Sequence, residues 1–442
     1  MSCFDLEGLG RNLKGLISSP GHFKLIRNIG ALLSANIYSK LTIIISGVLI
    51  GRWVAPDDYG IWVALNILPS YVYWMQLGTA NGLGRELPLT LGKGDTDAAK
   101  AFIGTAFYFH LVVVISSVVL LAILSIFFEV KESAKWSYGL WFIIFYTATT
   151  LISGLFYIIA RSYRHFASLS ALLIVQSTIS LLGLWLVKYY SLYGLYYRMF
   201  FSQLFLLAGY VFLYRKHIAF KLDTGKLKEL IKIGFPIFLA GYVALIFSIA
   251  DRSLAARYLS SEQLGIYGFA LFVYSGVQIL SSTICDVLFP EMVLEYSKHE
   301  NAEILWKTVK KYWIYHLIIL PIPITIIWFT IPYLLKAVVP KYVLAAEPAQ
   351  ILLIGGVVWS FTGVLGNFLN CVRKSWSYTL CLGLCTVVFW IGCYIAVKLG
   401  YGLKGLAWAN VFSVGVFFIS TFIVASSFLL NEENHKLSRF SH

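Results

Sequence analysis

Charged residues are the scarcest class in this 442-residue chain, where Asp, Glu, Lys and Arg together make up only 13%. A soluble globular protein has about a quarter of its residues charged. Apolar residues make up 59% and the mean hydropathy is +0.77, so water cannot be the only solvent of the folded chain. The formal charge of +14 does not indicate nucleic acid, because no solvated segment is long enough to form a basic binding domain.

Patterns of disulfide-rich, metal-binding or signal-peptide-bearing chains are also missing. The six cysteines lie in apolar stretches or near one predicted side of the membrane, so we expect no disulfide framework. Cys381 and Cys385 share a helical face without His or carboxylate nearby in sequence, which favours packing over a metal site. Residues 1–28 lack the compact apolar run of a signal peptide. Their leucines follow helical spacing up to Pro20, which predicts a short helix on the membrane surface.

Long apolar runs are abundant, and they predict an all-α polytopic membrane protein. A membrane-spanning helix needs about twenty predominantly apolar residues, and the chain offers about twelve such stretches. The predicted spans cover 29–51, 61–80, 103–128, 138–160, 169–187, 192–214, 233–255, 264–289, 312–332, 348–371, 377–397 and 404–430.

The distribution of Lys and Arg predicts that both termini lie in the cytoplasm. With the N-terminus inside, the cytoplasmic segments hold 23 of these residues. The opposite segments hold 9 when Lys404, the first residue of the last span, is counted with them. Lys40, Arg198 and Arg252 inside spans complete the 35. Positive residues accumulate on the cytoplasmic side of membrane proteins. Most of the net charge is therefore an orientation signal and says little about substrate.

The chain repeats itself. At an offset of 205 residues Gly60 meets Gly265, and further along Arg164 meets Arg373 at an offset of 209. Near the ends of the two halves, a run beginning at Leu192 matches at an offset of 211. Each half holds six predicted spans, an even number, so the repeats enter the membrane from the same side and are related by an axis along the membrane normal.

This duplication predicts two parallel six-helix lobes around a central cavity, which can rock between inward-open and outward-open states. The predicted segments are a cytoplasmic or interfacial N-terminal segment (1–28), the first lobe (29–214), a basic cytoplasmic linker (215–232), the second lobe (233–430) and a cytoplasmic tail (431–442). The linker holds six Lys and Arg, which favours a solvated positive-inside loop over a specific lipid-headgroup site.

Three patterns resemble the polysaccharide transporter family, in particular the O-antigen flippases of the multidrug/oligosaccharidyl-lipid/polysaccharide superfamily. The first is GRWVAPDDYGIWVAL (51–65) with ADRSLAARYLSSEQLGIYGFAL (250–271). The second is LGTANGLGRELPLTLGKGD (77–95) with VLFPEMVLEYSK (287–298). The third is the turn between the fifth and sixth helix of each lobe, YSLYGLYYRMF and YGLKGLAWANVF.

This resemblance implies a V-shaped twelve-helix fold and alternating access by rocking. The implied cargo is an undecaprenyl-diphosphate-linked oligosaccharide, such as an O-antigen unit for lipopolysaccharide or a related surface polysaccharide. It would move from the cytoplasmic to the periplasmic leaflet of a bacterial inner membrane. A polysaccharide polymerase and a chain-length regulator are the partners to test, besides membrane lipids, and a proton or sodium gradient is the energy source to test. No cofactor is expected.

Cations inside spans are the first candidates for contact with a diphosphate. A charge facing lipid at mid-bilayer costs on the order of 3 kcal/mol, so such residues usually face a bundle interior or a cavity. Lys40 lies near the middle of the first span and is the main candidate, the alternative being a partner on another helix. Arg198 could bind substrate or extend to the interface among tyrosines. Arg85 could receive the diphosphate, although a positive-inside anchor is favoured.

A second set of residues is predicted for coupling, gating or substrate contact. Asp251 and Arg252 lie near the outer end of the seventh span, and adjacent helical residues point in different directions, so we expect separate partners for them. Asp286 faces the cavity or forms a cytoplasmic ion pair. His110 and His316 occupy nearly equivalent places in the two repeats; proton coupling is one role, and a hydrogen-bonded packing histidine is the favoured alternative.

Two other function classes compete with the flippase. A cation-coupled multidrug exporter of the same superfamily would favour intramembrane carboxylates, but the spans of the first lobe contain none. A membrane glycan polymerase or glycosyltransferase would need a sizeable outer loop, whereas the predicted outer loops have about 4–16 residues. The sequence therefore predicts a transporter and no catalytic residues.

Overall fold

The computed structural model describes residues 20–129, 134–218, 222–299 and 302–440, and the regular structure in these ranges is helical. The surface helix predicted before Pro20 lies outside the described residues. The helices are α1 (Pro20–Trp53), α2 (Pro56–Leu65), α3 (Leu68–Val72), α4 (Thr79–Gly92), α5 (Thr96–Glu129), α6 (Ala134–Ser162), α7 (Phe166–Leu182), α8 (Leu184–Tyr214), α9 (Thr224–Tyr258), α10 (Ser261–His299), α11 (Ala302–Ile319), α12 (Pro321–Val338), α13 (Ala346–Cys371), α14 (Ser375–Lys398) and α15 (Gly402–Phe440).

Twelve membrane crossings can be traced through these helices. Nine helical stretches of the described chain are each long and apolar enough to span a membrane, and α7 with α8, bent by 71°, would be a tenth if the pair were one span. A sharp turn inside α8 divides the pair into two crossings, one on each side of the turn. The broken segment α2–α4 supplies the remaining crossing.

The turn that separates the fifth and sixth crossings lies at Ser191, whose φ of 48° interrupts α8. Contacts across this turn show that the chain folds back. Arg198 Nε donates to the carbonyl oxygen of Ser180 at 2.7 Å. A Cβ on Gly194 would collide with the carbonyl oxygen of Leu186. A straight helix would keep these residues more than a turn apart, so the two crossings form a hairpin, as predicted.

The second crossing is broken where the sequence predicts one continuous helix over 61–80. α2 ends at Leu65, and the side-chain Nδ2 of the next residue, Asn66, donates to the carbonyl oxygen of Trp62 at 2.7 Å. Pro69 follows, and Leu77 and Gly78 both adopt positive φ before α4 begins. Irregular backbone at membrane depth is tolerated where protein or a cavity surrounds it, and this segment lies between the lobes.

The helices form two bundles that correspond to the two repeats. In the first lobe (α1–α8), α5 packs on α6, α1 on α7 and α6 on α8; in the second lobe (α9–α15), α13 packs on α10 and α15, and α14 on α15. We call the end that carries the connection 215–223 the linker end, and the opposite end, where α1 ends at Trp53, the far end. The predicted fold class is thereby confirmed.

At the far end the lobes meet through the two glycines that the repeat aligns. A Cβ on Gly60 would collide with the carbonyl oxygen of Ser261, and a Cβ on Gly265 would collide with that of Pro56. Pro56 and Ser261 are themselves separated by the repeat offset of 205. The contact is therefore symmetric about the repeat axis, and it requires residues without a side chain.

Towards the linker end the two sides of the lobe interface differ. On one side α4 touches α9: a Cβ on Gly78 or Gly234 would collide with the backbone of the other, and one on Gly82 with that of Leu230. Gly78 also has a φ of 78°, a conformation that glycine adopts without steric cost. This side is closed by backbone contact.

On the other side α1 and α10 diverge. Near the far end, a Cβ on Gly47 would collide with the ring of Phe272 on α10. The same face of α1 continues at helical spacing through Lys40, Ile37 and Leu33. The side chains of Leu33 and Ile37 are 57% and 59% exposed, so the lobes splay apart here as the arms of a V.

Candidate substrate passage

Three cavities follow one another between the lobes, and neighbouring cavities share lining residues. The far cavity has a volume of about 340 Å³ and lies just inside the glycine contact of the far end. Trp62 and Asn66 of the first lobe line it together with Arg252 and Phe272 of the second. Both lobes thus contribute to its wall.

The middle cavity has a volume of about 470 Å³ and shares Asn66 with the far cavity. Its walls bring together hydroxyl and amide groups of Tyr146, Thr150, Tyr242 and Asn81. The first two belong to α6 and Tyr242 to α9, so this cavity also lies between the lobes. Polar groups combined with aromatic rings are typical of sites that orient a polar ligand.

The mouth cavity is the largest of the three, with a volume of about 730 Å³, and lies at the linker end. It shares Tyr73 and Asn81 with the middle cavity. Arg85 of α4, Arg161 near the end of α6, and Arg164 in the turn to α7 all line it. Two parts of the first lobe, α4 and the junction between α6 and α7, therefore contribute three arginines to the lining of one space.

The charge of these walls has one sign. The described residues that line the three cavities include four arginines and neither Asp nor Glu. A cleft lined by one sign of charge raises the local concentration of oppositely charged ligands. The walls therefore attract an anion more than a cation, most strongly at the mouth cavity, because Asp251 lies beside Arg252 at the far cavity.

Lys40 lies on the side where α1 and α10 diverge. Its Nζ donates to Thr283 Oγ1 of the other lobe at 3.3 Å. Within the described ranges no carboxylate forms an ion pair with it. An unpaired cation inside a span is tolerated beside water or a cavity, and the open side of the interface provides that position.

Arg198 is placed away from the three cavities, among the helices of the first lobe. Its Nε donates to the carbonyl oxygen of Ser180 on α7, and its Nη2 donates to Ser46 Oγ on α1 at 2.8 Å. These bonds join three helices of one lobe. The geometry gives Arg198 a structural task, and the substrate contact predicted for it stays a prediction.

Asp251 and Arg252 have different surroundings: the first is buried and the second lines a cavity. Asp251 is 2% exposed, and its Oδ2 accepts from the Tyr267 hydroxyl at 2.9 Å. Arg252 lines the far cavity, donates to the carbonyl oxygen of Ser248, and has its Nε 3.9 Å from Asp251 Oδ1. The two side chains thus hydrogen-bond to different partners, and the arginine side chain also bends back along its helix towards Asp251.

His110 and His316 share one arrangement. Each is buried, and each Nδ1 bonds the carbonyl oxygen four residues earlier, that of Ala106 and of Tyr312, at 2.8 and 2.9 Å. Neither lines the three cavities. The side chain of Asp286 lies outside the described residues, and the described residues contain no cluster of three or more His, Cys, Asp or Glu that could hold a metal ion.

Two residues of the mouth cavity were not singled out in the sequence. Arg161 and Arg164 stand in a connecting segment, where basic residues also serve as orientation signals. The repeat contains a signal that could have found Arg161. At the offset of 209 that pairs Arg164 with Arg373, Arg161 falls on Asn370, so the basic residue is not part of the duplicated pattern.

Comparison with known proteins gives one family match and several matches to solved structures. A family model described as "Polysaccharide biosynthesis protein" matches residues 49–339, which is more than half of the chain. No curated protein sequence matches the chain.

Solved structures match over nearly the whole chain. An inward-facing multidrug resistance MATE family transporter of the MOP superfamily has a TM-score of 0.71 at 13% identity, covering 90% of this chain and 98% of its own. The lipid II flippase MurJ, in an inward closed conformation, has a TM-score of 0.71 at 13% identity, covering 89% and 87%. An outward-facing MATE family transporter has a TM-score of 0.57 at 14% identity, covering 92% and 95%.

Proposed function

Because the chain belongs to the polysaccharide biosynthesis protein family and has the fold of MOP superfamily transporters, we propose that it is a flippase for lipid-linked oligosaccharides. The family match confirms the resemblance that the repeated motifs indicated. The proposed cargo is an undecaprenyl-diphosphate-linked oligosaccharide, such as an O-antigen repeat unit. It would be moved across a bacterial inner membrane by alternating access.

The observation that carries the proposal is the charge of the passage. Four arginines and no carboxylate line the described walls of the three cavities. A diphosphate crossing hydrocarbon needs fixed cations, and the guanidinium fork matches phosphate oxygens in a bidentate way. A cationic drug would meet repulsion along the same walls, which argues against the multidrug alternative.

The middle cavity supports the saccharide part of the proposal. Hydroxyl and amide groups of Tyr146, Thr150, Tyr242 and Asn81 can exchange hydrogen bonds with sugar hydroxyls that leave water. The tyrosine rings can stack on the apolar faces of sugar rings. A volume of about 470 Å³ is within the range of pockets for small organic ligands.

The open side between α1 and α10 supports a route for the lipid tail. Leu33 and Ile37 expose apolar side chains there, while Lys40 reaches across to Thr283. A polyprenyl tail could remain in the bilayer beside these residues while its phosphates approach Lys40. The opposite side, between α4 and α9, is closed by glycine contacts and leaves no such route.

The proposed state is inward-facing, with the linker end in the cytoplasm. The TM-score is higher against the inward-facing MATE transporter than against the outward-facing one, 0.71 against 0.57. The excess of Lys and Arg on the linker side agrees with this orientation. Asp251, buried against Tyr267 beside Arg252, is the group we propose for coupling transport to a proton or sodium gradient.

Complementation of a flippase-deficient bacterium tests the proposal. The chain should restore surface glycan display and clear the accumulated lipid-linked oligosaccharide, measured by extraction and mass spectrometry. The matched strain with an empty vector should keep both defects. Failure to restore display at normal membrane levels of the protein, with strains of several glycan types, would contradict the proposed cargo.

The Lys40→Ala variant tests the route. It should insert normally and reduce surface glycan display, because the cation on the open side is lost. Lys188→Ala, which removes an exposed lysine outside the three cavities, should leave display unchanged. Normal display with Lys40→Ala at normal protein level would remove Lys40 from the route.

A further inference from the structure

Three positively charged side chains line the mouth cavity. Arg85 on α4, and Arg161 and Arg164 at the junction between α6 and α7, line the same space. Within the described part of the chain, none of the three forms an ion pair. Arginine stays charged at any physiological pH, so the three positive charges repel one another until an anion enters.

The cavity is also part of the lobe interface, which sets it apart from an ordinary basic surface. Ile237 of α9, in the second lobe, closes one side of it, and Tyr73 and Asn81 connect it to the middle cavity. Pro88, Ile158 and Phe166 supply apolar wall. A low-dielectric wall strengthens the attraction between guanidinium groups and an anion.

The turn that contains Arg164 occurs in both repeats, but among the residues that the structure describes the arginine-lined mouth cavity occurs only in the first. Arg164 and its counterpart Arg373 have φ values of 59° and 60°, and both turns use the same pair of backbone hydrogen bonds. The left-handed conformation therefore belongs to the duplicated fold. Arg85 and Arg161, however, fall on Pro290 and Asn370 in the second repeat.

We infer that the mouth cavity is an anion-binding site that takes a phosphate or diphosphate group through Arg85, Arg161 and Arg164, before the cargo reaches the deeper cavities. The assignment of the anion to cargo rests on the proposed function; the site itself rests on the cavity. The headgroup of an anionic membrane lipid offers the same chemistry, and the test separates the two sources.

Binding to the purified full chain in nanodiscs of neutral phosphatidylcholine tests the site by calorimetry. Inorganic pyrophosphate is the first probe. Arg161→Gln and Arg164→Gln should each weaken its binding about tenfold or more, because each removes a charge-assisted hydrogen-bond donor. Arg373→Gln, which changes the equivalent turn of the other lobe, should bind as the natural chain does. No binding by the natural chain, or equal binding by all variants, would overturn the inference.

A second probe, glycerol phosphate, stands for the lipid headgroup. Tighter binding of pyrophosphate supports a diphosphate-bearing cargo as the occupant, and tighter binding of glycerol phosphate supports a membrane lipid. If Arg161→Gln loses binding of both pyrophosphate and glycerol phosphate, the two probes share one site. An unchanged affinity for both in Arg161→Gln and Arg164→Gln would contradict the site whichever source is considered.

Failure of this site and failure of the proposed function give different results. If the proposed cargo is wrong, the natural chain does not restore glycan display, while pyrophosphate binding and its loss in the variants stand. If only the mouth site is wrong, the natural chain restores display, and Arg161→Gln and Arg164→Gln bind pyrophosphate and restore display as well as Arg373→Gln does.

Discussion

The two repeats share their backbone features and differ in the charged side chains inside their membrane spans. In the first repeat Gly183 packs on Arg198, and in the second the equivalent Gly392 packs on Ala409. The hairpin turn has a positive φ in both, 48° at Ser191 and 55° at Gly402. Duplication has preserved the glycine contacts and the turns, which are the features that the fold needs.

The charged residues inside the membrane spans follow no such symmetry. Lys40 of the first repeat falls on Leu245 in the second, while Asp251 of the second falls on Ser46 in the first. The first lobe therefore carries cations towards the linker end, and the second carries the buried carboxylate with Arg252. The matched glycines and turns support the fold, whereas Lys40, Arg85 and Arg161 have no charged counterpart in the second repeat.

The largest effect is expected where the repeats touch each other. Gly60→Ala or Gly265→Ala places a methyl group against a backbone carbonyl, and overpacking of this kind costs about 1–3 kcal/mol. The closed far end should lose population about tenfold or more, seen as a longer distance between spin labels at positions 53 and 258. Gly154→Ala is the control, because the added Cβ would have no neighbour within 4 Å beyond the adjoining part of its own helix. An unchanged distance distribution in both variants would refute the symmetric closure.

A smaller effect is expected where the first repeat uses an arginine and the second an alanine. Arg198→Ala gives the first lobe the residue type that the second repeat has at Ala409. It removes the hydrogen bonds from Arg198 to the Ser180 carbonyl oxygen and to Ser46. The expected loss in the free energy of unfolding is about 1–3 kcal/mol. The thermal unfolding midpoint in detergent should fall, while glycan display per folded molecule should persist. Loss of glycan display at unchanged thermal stability would instead indicate that Arg198 contacts the substrate.

The smallest effect is expected at the hairpin turn. Ser191 keeps a positive φ that its counterpart Gly402 adopts freely, and its Oγ donates to Asp58 Oδ2 at 3.0 Å. Ser191→Ala loses this bond and keeps the strain, at a cost of about 1 kcal/mol. Ser191→Gly loses the bond and the strain together, so its unfolding midpoint should stay near that of the natural chain. Equal midpoints for all three proteins would show that the hydrogen bond contributes nothing.

Part of this arrangement was predictable from sequence because it depends on local properties of the chain. Hydropathy predicts the twelve crossings, and repeated glycines such as Gly60 and Gly265 predict the duplication. The break of the second crossing was not predicted, since the positive φ at Gly78 fits a backbone contact with Gly234 on a distant helix. Sequence also cannot tell whether Arg161 in a connecting segment faces solvent or a cavity, because that depends on the helices around it.

The central claim is that a phosphate-linked saccharide passes between the lobes, and photo-crosslinking in living cells tests it most directly. A photoreactive amino acid is placed at Tyr146 or Tyr242 in the middle cavity, or at Tyr333, a 77% exposed residue on the outer surface of the second lobe. The account predicts adducts with lipid-linked oligosaccharide at the two cavity positions and none above background at Tyr333. Adducts of equal yield at Tyr333, or their absence from both cavity positions in a complementing strain, would contradict it.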